Sequence, residues 1–224
     1  CFPKIRQGIA MRQSGKFWDR LAKTYSKQSI SDESAYQKKL QITRDYLRPD
    51  TEVLEFGCGT GSTAITHAPH AKHILAIDIS SKMLEIAQGK ADTQNITNIT
   101  FQQSAIDEFT APDNSFDVVL GLSILHLLEN KDDAIAKVFE LLQPGGIFIS
   151  STTCMGDTMK FIKYIAPVGR WLGLLPMINV FTAADLKNSL VKAGFEIEYE
   201  RQPAQNKAIF LVVRKAGSLA KINV

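Results

Sequence analysis

Three glycines stand at alternate positions, Gly57, Gly59 and Gly61, within the stretch VLEFGCGTGS directly behind an apolar run. Each loses more backbone entropy on folding than any other residue, so three together imply that the chain comes close to something there. Backbone amides freed of side chains, followed by a helix N-terminus, suit a ligand carrying negative or polar groups. Asp78 closes the strand-like run ILAID, some 20 residues further on, where a carboxylate can accept hydrogen bonds from ribose hydroxyls. The spacing is not that of a dinucleotide loop, G-x-G-x-x-G, because Ser62 occupies the last glycine position. It is not a P-loop either, for the G-K-[ST] ending is absent. One further side chain has a pKa suited to proton transfer near neutrality: His126, in SILHLLEN, the candidate general base.

The other histidines, His67, His70 and His73, surround Pro69 with no cysteine or acidic side chain among them, so exposed polar positions are expected and no metal site. Cys1, Cys58 and Cys154 are too widely spaced for a disulfide framework or a zinc site, which favours a reducing, cytoplasmic setting.

These groups need a scaffold at one rim, and the pattern of the chain supplies it. Helices are expected over 16–25 and 31–47, with Tyr36, Leu40 and Leu47 at helical spacing and Pro49 closing the second. Apolar strands are expected at Glu52–Phe56, Ile74–Ile77, Ile99–Gln103, Phe116–Leu122 and Ile147–Ser151, with helices from Ser62, Ser80 and Asp132 between them. The turn QPGG precedes the fifth strand, and Thr182 to Asp185 has the form of a capping box opening a helix that stops at Gly194. Two closely spaced strands, Phe195–Arg201 and Ala208–Val213, end the pattern as an antiparallel pair. Apolar strands alternating with amphipathic helices define an α/β, Rossmann-like, doubly wound and mostly parallel seven-stranded sheet, with ligands at the carboxyl ends of the strands.

Composition restricts the function. A net charge of +3 with scattered lysines and arginines gives no basic stripe for nucleic acid. No apolar run reaches the roughly 18 residues of a membrane span. Residues 1–15 form an N-terminal extension, with the first methionine at Met11, and 16–224 are expected to form a single domain.

Four segments in order, VLEFGCGTGS, LAIDISSKMLEIA, NSFDVVLGLSILHLL and LLQPGGIFIS, resemble the class I S-adenosylmethionine-dependent methyltransferases of the small-molecule type. The resemblance extends from about Phe17 to Val213. It implies S-adenosylmethionine as cofactor and S-adenosylhomocysteine as product. Glu55 would place the methionine ammonium, and the loop Gly57, Cys58, Gly59, Gly61 would run beneath the methionine and ribose, with the Cys58 thiol a small filler. Asp78 would bind the ribose, Ile79 and Met83 would flank the adenine, and Ser104, Ala105 and Ile106 would form the adenine-edge loop. The family commonly has aspartate at the position of Ser104, whose hydroxyl accepts without charge assistance. Gly121 and Leu122 would contact the methionine end through their backbone, and Tyr25 would fold over the cofactor.

Residues 154–181 form an apolar insertion broken by glycine and proline, a lid over the acceptor pocket. Phe161, Ile162, Trp171, Leu172 and Met177 suit a lipophilic or aromatic small-molecule acceptor, or peripheral membrane contact through 158–177 with Lys160, Lys163 and Arg170 at the headgroups. Two other functions fit the same residues: an NAD(P)-dependent oxidoreductase on a related sheet, and a cofactor-binding or membrane-associated protein without turnover.

Overall fold

A computed structural model describes residues 15–28, 32–159, 161, 162, 165 and 175–217. Much of the apolar insertion, Trp171 and Leu172 among it, and most of the N-terminal extension lie outside the described residues. Residues 15–25 are helical (α1). After them come α2 (Glu33–Arg44), β1 (Glu52–Phe56), α3 (Ser62–His67), β2 (His73–Asp78), α4 (Ser81–Thr93) and β3 (Ile99–Gln103). Then follow β4 (Phe116–Leu122), α5 (Lys131–Leu141), β5 (Leu142–Thr152), α6 (Met155–Thr158), α7 (Ala183–Lys192), β6 (Phe195–Arg201) and β7 (Ile209–Lys215).

The described strands form one seven-stranded sheet in the order β3-β2-β1-β4-β5-β7-β6. The pairs among β1 to β5 are parallel, and β7 runs antiparallel to both β5 and β6. Strands buried on both faces need apolar residues at odd and even positions alike. In β1, Leu54 and Phe56 enter the core beneath α5 and α7, which contribute Ile135, Val138, Leu186 and Leu190. Val53 points the other way, into a second core with Ile42 of α2, Ala64 of α3 and Leu84 of α4.

Local chemistry fixes the helix ends. Thr182 and Asp185 form the expected capping box, with reciprocal bonds of 3.0 and 2.9 Å. Ser80 caps α4 by accepting the Met83 N–H.

Two expectations need correction. The fifth strand begins at Leu142 and not at Ile147. Phe116 pairs with Leu142 and Val118 with Ile147, so the Pro144–Gly146 stretch loops out as a bulge inside one strand. The Arg214 guanidinium donates to the Gly145 carbonyl at 2.7 Å and secures that bulge. Of the three histidines read as exposed, His67 is fully buried at the end of α3, and neither ring nitrogen has a hydrogen-bond partner. Helical spacing from Ala64 turns it inward, and burial drives its pKa down to about 4. His73 bonds Thr100 and lies beside Glu52, as a half-exposed residue can.

Candidate functional site

The strand-to-helix turn after β1 carries Gly57, Gly59 and Gly61 at φ of 66, 53 and 74°, the left-handed region that other residues avoid. At Gly61 space is also decisive, because a Cβ there would stand 2.7 Å from the Cβ of Ala87 on α4. This glycine lets α3 start against α4.

Asp78, at the carboxyl end of β2, holds the turn in shape. Its Oδ2 accepts the Gly59 N–H and its Oδ1 the Ser80 N–H, both at 2.9 Å. Burial raises its pKa, and these backbone donors oppose the rise. The Ser80 hydroxyl donates to Asp19 of α1 at 2.6 Å, and Asp19 also accepts the Lys82 N–H. That latch sets α1 across the rim, bringing Trp18 and Tyr25 over the turn in an edge-to-face pair.

Two cavities share the turn. The smaller, about 130 Å³, lies toward β2 and β3 and is lined by Asp78, Ile79, Met83, Ser104, Ala105 and Ile106, with Trp18 and Tyr25 above. The larger, about 590 Å³, extends over β1, β4 and β5 and is lined by Glu55, Cys58, Tyr36, Ser151 and Phe210 among others. Tyr25, Gly57, Gly59 and Leu122 border both.

Glu55 is the electrostatic anomaly of the larger cavity. It is buried, its Oε2 has no hydrogen-bond partner, and burial reinforced by the nearby Asp78 pushes its pKa up to about 8. An unpaired buried carboxylate is costly, and a cation arriving from the cavity would remove that cost. Ser104 turns its hydroxyl to the Ala105 carbonyl at 3.1 Å, so its oxygen keeps the capacity to accept. The buried Cys58 thiol is pushed well above its ordinary pKa by burial, as fits a filler and not a nucleophile.

Three expected site residues line neither cavity. Gly61 serves the packing just described. Gly121 is demanded by the core, since a Cβ there would stand 2.5 Å from the Phe56 ring. His126 sits in the helical turn Leu125–Leu127, where burial lowers its pKa and its Nδ1 has no partner. Its carbonyl accepts the Asn179 N–H at 2.8 Å, tying the segment after β4 to the segment before α7.

Sequence reasoning missed Ser123, Lys39 and Arg201. Ser123 borders both cavities at φ of 58°, and its N–H donates to the Ser151 carbonyl at 2.6 Å. Such a conformation in a non-glycine residue has no sequence signature beyond its place at a strand end. Among the described residues, no group of three or more His, Cys, Asp or Glu could hold a metal ion.

The strand order, the glycine turn and the acid at the end of β2 define the class I S-adenosylmethionine-dependent methyltransferase fold. A methyltransferase-domain family profile matches residues 47–194, and the chain belongs to that family. It is 28% identical over 110 residues to an uncharacterized methyltransferase, YcgJ, of Bacillus subtilis, covering 49% of this chain and 44% of that protein. It is 25% identical over 166 residues to the malonyl-[acyl-carrier protein] O-methyltransferase of a Paenibacillus species, covering 70% of this chain and 60% of that one. The ubiquinone/menaquinone biosynthesis C-methyltransferase UbiE of Vibrio cholerae is 29% identical over 113 residues, with 49% and 44% covered. The chain thus spans about half the length of the curated relatives it matches. The crystal structure of YcgJ superposes with a TM-score of 0.67 at 16% identity, covering 80% of this chain and 99% of that one, a likeness of fold.

Proposed function

We propose that this chain transfers the methyl group of S-adenosylmethionine to a small molecule with an apolar or aromatic body. The observation that carries the proposal is Glu55, a buried carboxyl whose Oε2 has no hydrogen-bond partner, lining a cavity behind a glycine turn. The cofactor brings a positively charged methionine end, the kind of group such a carboxyl lacks. When bound, it supplies an electrophilic methyl on a sulfonium.

The chain's own residues have the remaining tasks. Glu55 would accept from the ammonium and Asp78 from the ribose hydroxyls. Ile79 and Met83 would enclose the adenine, while the Ala105 backbone and the Ser104 oxygen meet its edge. Trp18 and Tyr25 on α1 would exclude water from above. His126 lines neither cavity among the described residues, and the contributions we assign to the chain in the step are positioning and desolvation.

An apolar acceptor is favoured by large side chains left exposed in the described part of the insertion, Phe161, Ile165 and Leu175. The same side chains would suit an acceptor taken from a lipid surface, although among the described residues no helix is long and apolar enough to cross a membrane.

Calorimetry checks the cofactor half. S-adenosylhomocysteine should bind and NADH should not, and Asp78→Ala should weaken binding tenfold or more, about 1.4 kcal/mol. Binding of NADH alone would overturn the proposal. Incubation with tritiated-methyl cofactor and fractionated extract then reads which fraction takes up label.

A further inference from the structure

The larger cavity is bipolar. Glu55 lies at its β1 end, and three cations, Lys39, Arg201 and Lys207, line it toward β5, β7 and β6. Register explains the convergence. Ser151 of β5 pairs with Phe210 of β7, and Phe210 pairs with Arg201 of β6, so the three side chains form one cross-strand row on one face. Glu55 pairs with Leu120, and Leu120 with Ile149, two residues before Ser151. The acid and the row therefore share a face. Helix α2 packs on that face and lowers Lys39 onto the row, where its ammonium donates to the Ser151 hydroxyl at 2.8 Å.

These cations are not spent on each other's neighbours. Among the described residues, Lys39, Arg201 and Lys207 enter no ion pair. Lys39 is half-buried, and burial lowers its pKa, with Asp32 opposing and Arg201 adding to the fall. Asp32 is engaged as the N-cap of α2, accepting the Ala35 N–H at 3.0 Å. The other lining cation, Lys90, is different: it is held by Thr60 and Ser62 at the glycine turn. Lys39 and Arg201 repel one another above Phe210, Asp32 offsets only part of that repulsion, and an anion held between the two cations would relieve the rest.

We propose that the methyl acceptor carries an anionic group, a carboxylate or a phosphate ester, held between Lys39 and Arg201 with its apolar body over Phe210. This rests on the function proposed above and names the substrate class of the same cavity. Strand spacing puts Ser151 about 10–12 Å from Glu55, two strands away, so the anion site and the site for the cofactor's ammonium are opposite ends of one cavity.

Benzoate and phenyl phosphate, with benzamide and phenol as their neutral matches, test this by calorimetry on the full chain saturated with S-adenosylhomocysteine. At least one anion should bind at least tenfold tighter than its match, and the arm that answers tells carboxylate from phosphate. Arg201→Gln and Lys39→Gln should each weaken that binding, tenfold or more in combination, about 1.4 kcal/mol, and Lys39→Arg should restore it. S-adenosylhomocysteine affinity should stay as in the parent. Arg201 is exposed at a strand end, so its variant carries the test if the Lys39 variant fails to fold. Equal binding of the neutral matches, indifference to both variants, or silence of both anions in cofactor-loaded protein would overturn the inference alone. Failure of S-adenosylhomocysteine to bind would instead remove the function proposed above, and the anion arms repeated on the ligand-free chain would still decide whether the basic pair is an anion site.

Discussion

Glu55 sits where a negative charge is most costly, and its environment makes it a proton donor waiting for a cation. Its folded pKa of about 8 keeps it protonated at neutral pH in the absence of ligand. An ammonium group needs the ionised form, so binding below pH 8 must expel a proton. S-adenosylhomocysteine affinity should therefore climb from pH 6 to 8, by at most about tenfold per pH unit, and flatten above. Glu55→Gln should bind more weakly at pH 8 and show no such climb, both read by calorimetry in buffers of different ionisation enthalpy. Ser123 offers a second residue-scale test. Its φ of 58° costs about 1–2 kcal/mol in a residue with a Cβ, which offsets the entropic cost of a glycine there. Ser123→Gly should keep or slightly raise the melting temperature, while Ser123→Val should lower it. What the sequence revealed at this scale follows from distance along the chain. Asp78, Ile79, Met83, Ser104, Ala105 and Ile106 fall at fixed intervals from the glycine turn and do line one cavity. Lys39, Ser151 and Arg201 come from three separate elements, and only strand register together with the packing of α2 on the sheet brings them together.

At the scale of elements, α1 matters because one of its side chains ties it by hydrogen bonds to the N-terminus of α4 beside the site. Asp19 accepts from the Ser80 hydroxyl and the Lys82 N–H, adding a second acceptor to the N-terminus of α4. Asp19→Ala should cost about 1 kcal/mol, as loss of a cap does. It should also release Trp18 and Tyr25 from the smaller cavity, so limited proteolysis near residues 15–28 should accelerate and S-adenosylhomocysteine should bind more weakly. Unchanged cleavage would mean that α1 is held by other contacts. Helix starts were the most legible elements, because Thr182, Asp185 and Ser80 are local signals read within one turn. The start of β5 was not legible. Pro144, Gly145 and Gly146 are turn residues, and only the pairing of Leu142 with Phe116 makes the turn an interruption within a strand.

For the molecule as a whole, two buried titratable groups on the same face of the sheet act on stability in opposite senses. His67 has its pKa lowered from 6.5 to about 4, so the unfolded chain takes up a proton first and stability falls as pH drops through that window. Glu55 has its pKa raised from 4.5 to about 8, so the unfolded chain releases a proton first and stability falls as pH rises through that window. The windows overlap between 4.5 and 6.5, where the two slopes, each at most about 1.4 kcal/mol per pH unit, oppose one another. Urea denaturation of ligand-free protein should accordingly show a flat stretch there and a decline from about pH 6.5 to 8. Glu55→Gln should abolish the alkaline decline and leave the protein more stable than the parent at pH 8, by about 1 kcal/mol or more. His67→Leu should flatten the acid side and leave the alkaline decline in place. Saturating S-adenosylhomocysteine should act as Glu55→Gln does above pH 6.5, since a cation beside the carboxylate removes the reason for its raised pKa. A decline that survives in Glu55→Gln would place the titrating group elsewhere and separate the stability of the fold from the charge of the cavity.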